Sequence, residues 1–173
     1  MDYPAEEYSR YYIVQALFKL MHEYDYGNIS VTDVVNKAGV GRATFYRYFK
    51  RKEDVLIYYF EHERKSFVAN QRFYPRCKED HIKIVKDVLT LFKQNYAPLK
   101  LIRKARLEYI YLDYLNKNFK EMFFEEHSDK SSYTPYLYSG MLFNVSMEWL
   151  DNDCAESIDS LAQDIVDAIY FEA

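Results

Sequence analysis

The chain is poor in the residues that interrupt regular structure, with four Gly and four Pro in 173 positions. So few breakers, together with apolar residues recurring at three- and four-residue spacing almost throughout, argue against β-rich and loop-rich folds. They predict an all-α protein with short connections. Cysteine is scarce too: Cys77 and Cys154 stand far apart, which argues against a disulfide framework and fits reduced thiols. No run approaches the roughly 18 apolar residues of a membrane span. The start "MDYPAEEYSRYYIVQ" lacks the basic residues and apolar stretch of a signal peptide. A cytoplasmic protein with no membrane partner is expected. There is no phosphate-binding Gly loop, nucleophile elbow, HExxH or paired-Cys motif, so neither an enzyme nor a cofactor or metal site is expected. His62 in "FEHE" and His81 in "EDHIK" have no second ligand at metal spacing and are expected on the solvated surface.

What the chain does have is apolar material, aromatics and an uneven charge. Hydrophobic residues make up 49% and aromatics 18%, with 19 Tyr, which predicts a Tyr-rich interior of partly polar, cavity-like character. The net charge is −4, but residues 1–52 carry eight Lys/Arg against six Asp/Glu, net +2, and residues 53–173 carry fifteen against twenty-one, net −6. A polyanion would be attracted to the first part and repelled by the rest. Within "ISVTDVVNKAGVGRATFYRYFKRKEDV", six basic residues and four aromatics fall between Lys37 and Lys52 with no acid among them.

Periodicity places a first helix from about Ala5 to Tyr26, with Ile13, Ala16, Leu17, Leu20, Met21 and Tyr24 on one face and Gly27-Asn28 as the stop. Ser30 with Asp33 opens a second helix through a capping box, and Gly39 ends it. A third starts near Arg42, with Gly41 at its N-cap and Phe45 and Phe49 one turn apart on its inner side. Two short helices joined by "AGVG" form a helix-turn-helix. A connecting helix over about 52–73 follows, then a break at "YPRCKED", helices near 80–96, 98–106, 107–125, 134–151 and 157–171, and a polar loop "EEHSDKSS". The division expected is a helix-turn-helix domain over 1–51 and a helical domain over 52–173, for which the resemblance given below implies dimerisation and effector binding.

At about 100° per residue, an inward Phe45 and Phe49 leave Ala43, Thr44 and Arg47 pointing out, with Tyr46 on the flank. Small, polar and basic outward residues suit a helix in a major groove, where Arg can donate two hydrogen bonds to guanine. Arg42 in the first turn, Tyr46, Lys50, Arg51 and Lys52 supply a hydroxyl and cationic groups for phosphates. The predicted partner is a double-stranded DNA operator, contacted by Arg42, Ala43, Thr44, Tyr46, Arg47, Lys50 and Lys52. The bland alternative is a solvated basic face.

The stretch "ISVTDVVNKAGVGRATFYRYFKRKEDVL" resembles the DNA-binding signature of the TetR family of transcription regulators. The resemblance implies that the second and third helices form the helix-turn-helix and the third enters the major groove. It also implies phosphate-holding roles for Tyr46 and Lys52. Gly41 stands where the family often has a capping Ser, and Tyr48 where His is frequent. "SGMLFNVSMEWLDNDCAESIDSLAQDIVDAIY" is similar to the last two helices of many members, which pair in a four-helix homodimer interface. Its stripes hold Leu142, Val145 and Trp149 on one helix and Ile158, Leu161, Ile165 and Ile169 on the next; such stripes can equally pack on each other. The resemblance further implies a small-molecule effector among the middle helices, for which Phe92, Tyr96, Tyr109 and Phe123 are the candidates, although an aromatic stripe at helical spacing also serves as core. The function expected is a ligand-responsive repressor acting as a homodimer on a palindromic operator. The alternative is a DNA-bound dimer controlled by a partner protein.

Overall fold

The computed structural model describes residues 5–68, 77–126 and 132–170, without the side chains of 5–6, 66–68 and 122–126. Among the described residues there are nine α-helices and no strand: α1 (Ala5–Glu23), α2 (Val31–Ala38), α3 (Arg42–Tyr48), α4 (Lys52–Val68), α5 (Lys78–Gln94), α6 (Tyr96–Lys104), α7 (Glu108–Glu126), α8 (Thr134–Asp151) and α9 (Ile158–Ile169). The far end of the expected connecting helix, the start of "YPRCKED" (74–76) and most of the polar loop lie outside the described residues. No helix among those described is long and apolar enough to cross a membrane.

The chain forms two units, residues 1–62 with 98–111 and residues 63–97 with 112–173. In the first, α1 packs on α2 and α3 through Ile13, Leu17, Val34 and Phe45, each fully buried. α1 stops three residues earlier than the periodicity suggested, and Tyr24 is 57% exposed rather than part of the stripe. The cause is local: Tyr26–Asn28 closes into a single 3-10 turn. From α4, Val55 and Leu56 complete this core, and the Tyr59 ring meets Phe18 edge-on at 4.9 Å. Between α6 and α7, Arg106 takes a left-handed conformation (φ 57°), Leu107 N donates to Ile102 O at 3.0 Å, and Arg103 pairs with Glu108 at 2.7 Å.

In the second unit α5 packs along α9, with Val85, Leu89, Ala162 and Val166 buried. The α8–α9 corner turns through two left-handed residues, Asp153 and Cys154. It is held by Cys154 N donating to Trp149 O at 2.8 Å, Trp149 Nε1 to Glu156 O at 3.1 Å and Tyr96 OH to Asp153 at 2.6 Å. Ser157 caps α9 through the Ser160 amide. The interior is less tyrosine-rich than composition suggested: Tyr11, Tyr24, Tyr109 and Tyr133 are each more than half exposed. A phenol ring keeps its hydroxyl wet at no cost on a helix flank, so several Tyr line surfaces instead of the core.

Candidate nucleic-acid interface

Three local devices set the pose of α3. At the start of α2, Asp33 N donates to Ser30 Oγ at 3.2 Å and Ser30 N to Asp33 Oδ2 at 2.8 Å, a reciprocal capping box. The Ser30 hydroxyl and then its amide hold the Asp33 carboxyl below its ordinary value. Gly39 ends α2 in the left-handed region at φ 68°, a conformation that side chains with a Cβ resist. Gly41 then occupies the N-cap of α3 with no side-chain cap bond, the hydroxyl lost where Ser often stands.

α3 buries Phe45 completely and leaves Phe49 4% exposed, the rings 5.6 Å apart. The opposite side carries Arg42, Ala43 and Arg47, all exposed, with Thr44 half-buried and Tyr46 52% exposed, its ring edge-on to Phe45. Arg42, near the inner side by angle, reaches solvent because it occupies the first turn. Lys50 and Arg51 follow on the exposed turn into α4. Asp54 fixes that turn by accepting from Lys50 N at 2.8 Å and Arg51 N at 2.9 Å.

Lys52 is placed differently from its neighbours. Its ammonium donates to Tyr26 O at 2.9 Å and also to Ile29 O, and lies 4.2 Å from the Tyr26 ring centroid. Burial lowers its pKa, opposed by the Glu53 and Asp33 charges. Tyr26 OH donates in turn to Glu53 Oε1 at 3.0 Å; burial first, then that hydrogen bond, push the phenol well above its usual range, so it keeps its proton. The start of α4 is thereby tied to the α1–α2 connection. A phosphate contact from Lys52 would have to displace these bonds.

Arg10 escaped sequence reading, its only signal being one cation among the tyrosines of "YSRYY". Its guanidinium lies 5.3 Å from the Tyr48 ring and 5.2 Å from the Tyr58 ring, joining α1 to α3 and α4. Tyr48 thus has a partner where the resemblance would have put His.

The remaining candidates have different surroundings. Phe92 is 3% exposed and stacks on Trp149 at 6.5 Å, Tyr96 bonds to Asp153 on the surface, and Tyr109 belongs to the first unit, 55% exposed. The Phe123 side chain lies outside the described residues. Of the stripe residues, Leu142, Trp149 and Ile165 are buried within the single chain, at 7%, 2% and 6% exposure. Val145, Ile158 and Leu161 are half-buried and Ile169 is 38% exposed. His62 is exposed, as expected. His81 is not: it is 3% exposed, because the Tyr138 and Tyr170 rings, 5.9 and 5.7 Å away, cover it.

A family model described as bacterial regulatory proteins, tetR family, matches residues 13–59, from α1 into α4. The chain is 25% identical over 147 residues to an HTH-type transcriptional regulator of Staphylococcus aureus (strain USA300), covering 80% of this chain and 78% of that one. It is 34% identical over 62 residues to DhaS, the HTH-type dhaKLM operon transcriptional activator of Lactococcus lactis, covering 36% and 33%. The chain spans between a third and about half the length of the curated relatives it matches at the higher identities. Lin0861 from Listeria innocua has the same fold, with a TM-score of 0.82 at 20% identity over 99% of this chain and 94% of that one. An exposed basic helix set on a capped partner helix is the arrangement of a helix-turn-helix. Residues 13–59 carry the unit that the tetR family model describes, and the longest of these sequence matches is to an HTH-type transcriptional regulator.

Proposed function

We propose that this regulator is a ligand-responsive repressor that binds a palindromic operator as a homodimer. Residues 1–51 read DNA and residues 52–173 serve assembly and effector binding. The observation that carries the DNA step is the two-sided α3: Phe45 is fully buried behind Arg42, Ala43 and Arg47, which face solvent together. Arg47 reads a base edge, with Ala43 and Thr44 permitting close approach. Arg42, Tyr46 and Lys50 hold phosphates. Arg47→Ala is expected to change preference at one operator position by about 1–3 kcal/mol, measured by competition binding against single-base variants. A uniform loss over all variants would remove Arg47 from the reading role.

Apolar side chains left outside on the last helices support dimerisation: Leu137 on α8 is 71% exposed and Ile169 on α9 is 38% exposed. One recognition helix reads few base pairs, whereas two related by a two-fold axis read half-sites about 34–36 Å apart. An effector that prefers the DNA-incompetent form by about 1–3 kcal/mol lowers operator affinity roughly 5- to 150-fold, enough for a switch. Selection of bound fragments from the source genome at low ionic strength, followed by footprinting and in vitro transcription, tests the whole reading. A two-fold footprint that blocks transcription supports it, and the absence of any selected fragment overturns it. Transcription that rises on binding would replace repression by activation, the role that the name of DhaS records for that protein.

A further inference from the structure

The second unit encloses a cavity of about 20 Å³, with His81, Val85 and Val88 of α5, Phe119 of α7 and Tyr138 and Met141 of α8 in its wall. His81 is 97% buried by its 3% exposure, and its Nδ1 has no hydrogen-bond partner among the described residues. The volume matches about one water. A buried water, however, needs two to four polar partners, and beyond the imidazole and the Tyr138 hydroxyl the walls are Val, Ile, Leu, Phe and Met. An orphaned buried polar atom on a side chain that lines a nearly dry cavity is a costly arrangement that native structures keep for a reason.

We propose that this cavity is the effector site, and that it takes a small, mostly hydrocarbon molecule carrying one neutral hydroxyl, which hydrogen-bonds to His81 Nδ1. A hydroxyl both donates and accepts, so it satisfies Nδ1 in either imidazole tautomer. A carboxylate or ammonium head does not suit the site, because among the described residues no Asp, Glu, Lys or Arg lines the wall to pair with it. Burial independently lowers the His81 pKa, so the ring meets its ligand neutral. Apolar pockets that hold benzene measure about 150 Å³, so entry widens the site. Tyr138 and Met141, both half-buried, are the side chains placed to yield, and the unbranched thioether of Met141 repacks readily.

The regulatory consequence rests on the effector-controlled reading above; the site itself is measured apart from DNA. The probes are p-cresol and toluene, equal in shape and differing by one hydroxyl, titrated calorimetrically into the full chain. Wild type is expected to bind p-cresol about tenfold more tightly than toluene, with the His81 ¹⁵N resonances moving for p-cresol alone. In His81→Leu the preference should shrink to within about twofold while the melting temperature holds or rises, since the orphaned nitrogen is gone. Equal affinity of the two probes for wild type, resonances that do not respond, or a preference surviving in His81→Leu would each overturn the site. If p-cresol binds through His81 but leaves operator affinity unchanged, the site stands as a ligand site and its effector role is overturned. If the chain binds no operator at all, the function proposed above falls and the calorimetric result decides the site alone.

Discussion

Two cations of the first unit act on the protein before they act on DNA. Arg10 lies against two tyrosine rings from different helices, and Lys52 gives its ammonium to two backbone carbonyls. Lys50, two residues away, is exposed. The two lysines therefore separate by experiment. Lys50→Ala should lower the slope of log affinity against log salt by about 0.9, the loss of one phosphate contact, with thermal stability unchanged. Lys52→Ala should leave the slope intact and destabilise the fold by about 1–3 kcal/mol in urea titration, because two carbonyls lose a charged donor. The reverse pattern would return Lys52 to the DNA surface. The exposure of Arg42, Ala43 and Arg47 was legible in sequence because an inward Phe45, with Phe49 at the C-cap, fixes the outward side of this seven-residue helix. The ties of Lys52 were not, since backbone carbonyls 23 and 26 residues away carry no side-chain signature. His81 escaped for a related reason: residues distant in sequence decide its burial. Its pH behaviour follows. Faced by the Tyr138 and Tyr170 rings and by Phe119, it has a folded-state pKa lowered by burial. At pH above about 6.5 both states are neutral and stability is full. As pH falls below that value the unfolded chain takes up the proton first, and stability declines. Urea midpoints should drop between about pH 7 and 5.5 in wild type, and less in His81→Leu.

At the scale of elements, the helix-turn-helix was the most readable part because its instructions are local. Ser30, Asp33 and Gly39 each act within a turn of where they stand, and the capping box and left-handed stop form as their spacing requires. The last helices were readable as helices but not in the use of their faces. An apolar stripe says that a face is covered, while whether the cover is the same chain or another copy depends on packing between distant segments. Trp149, with its indole bonded to Glu156 O and its ring on Phe92, is covered by its own chain; Leu137 is not. Substitution should part the two roles. Trp149→Ala is expected to cost about 3–5 kcal/mol of stability. Leu137→Asp should leave the melting temperature within about 2 °C of wild type at high concentration while sedimentation equilibrium moves towards monomer. A dimer undisturbed by Leu137→Asp would place the interface elsewhere.

For the whole molecule, charge and symmetry make one joint demand. A first segment of net +2 is attracted to phosphate and a remainder of net −6 is repelled, so in the proposed dimer the two first segments are the parts that would meet a duplex. Operator geometry checks this. Inserting about five base pairs between half-sites turns them to opposite faces of the duplex and should abolish joint binding, whereas about ten should restore much of it. Insensitivity to both insertions would mean that each head binds alone. The bonds from Lys52 and Glu53 to Tyr26 add a mechanical corollary. Because the first turn of α4 is clamped to the corner after α1, any swing of that helix drags the reading head along without lost motion. In the proposed switch, Lys52→Ala with Tyr26→Phe, which removes these bonds and the one from Lys52 to Ile29 O, would act like a slipping clutch, leaving the head able to bind while deaf to its stalk.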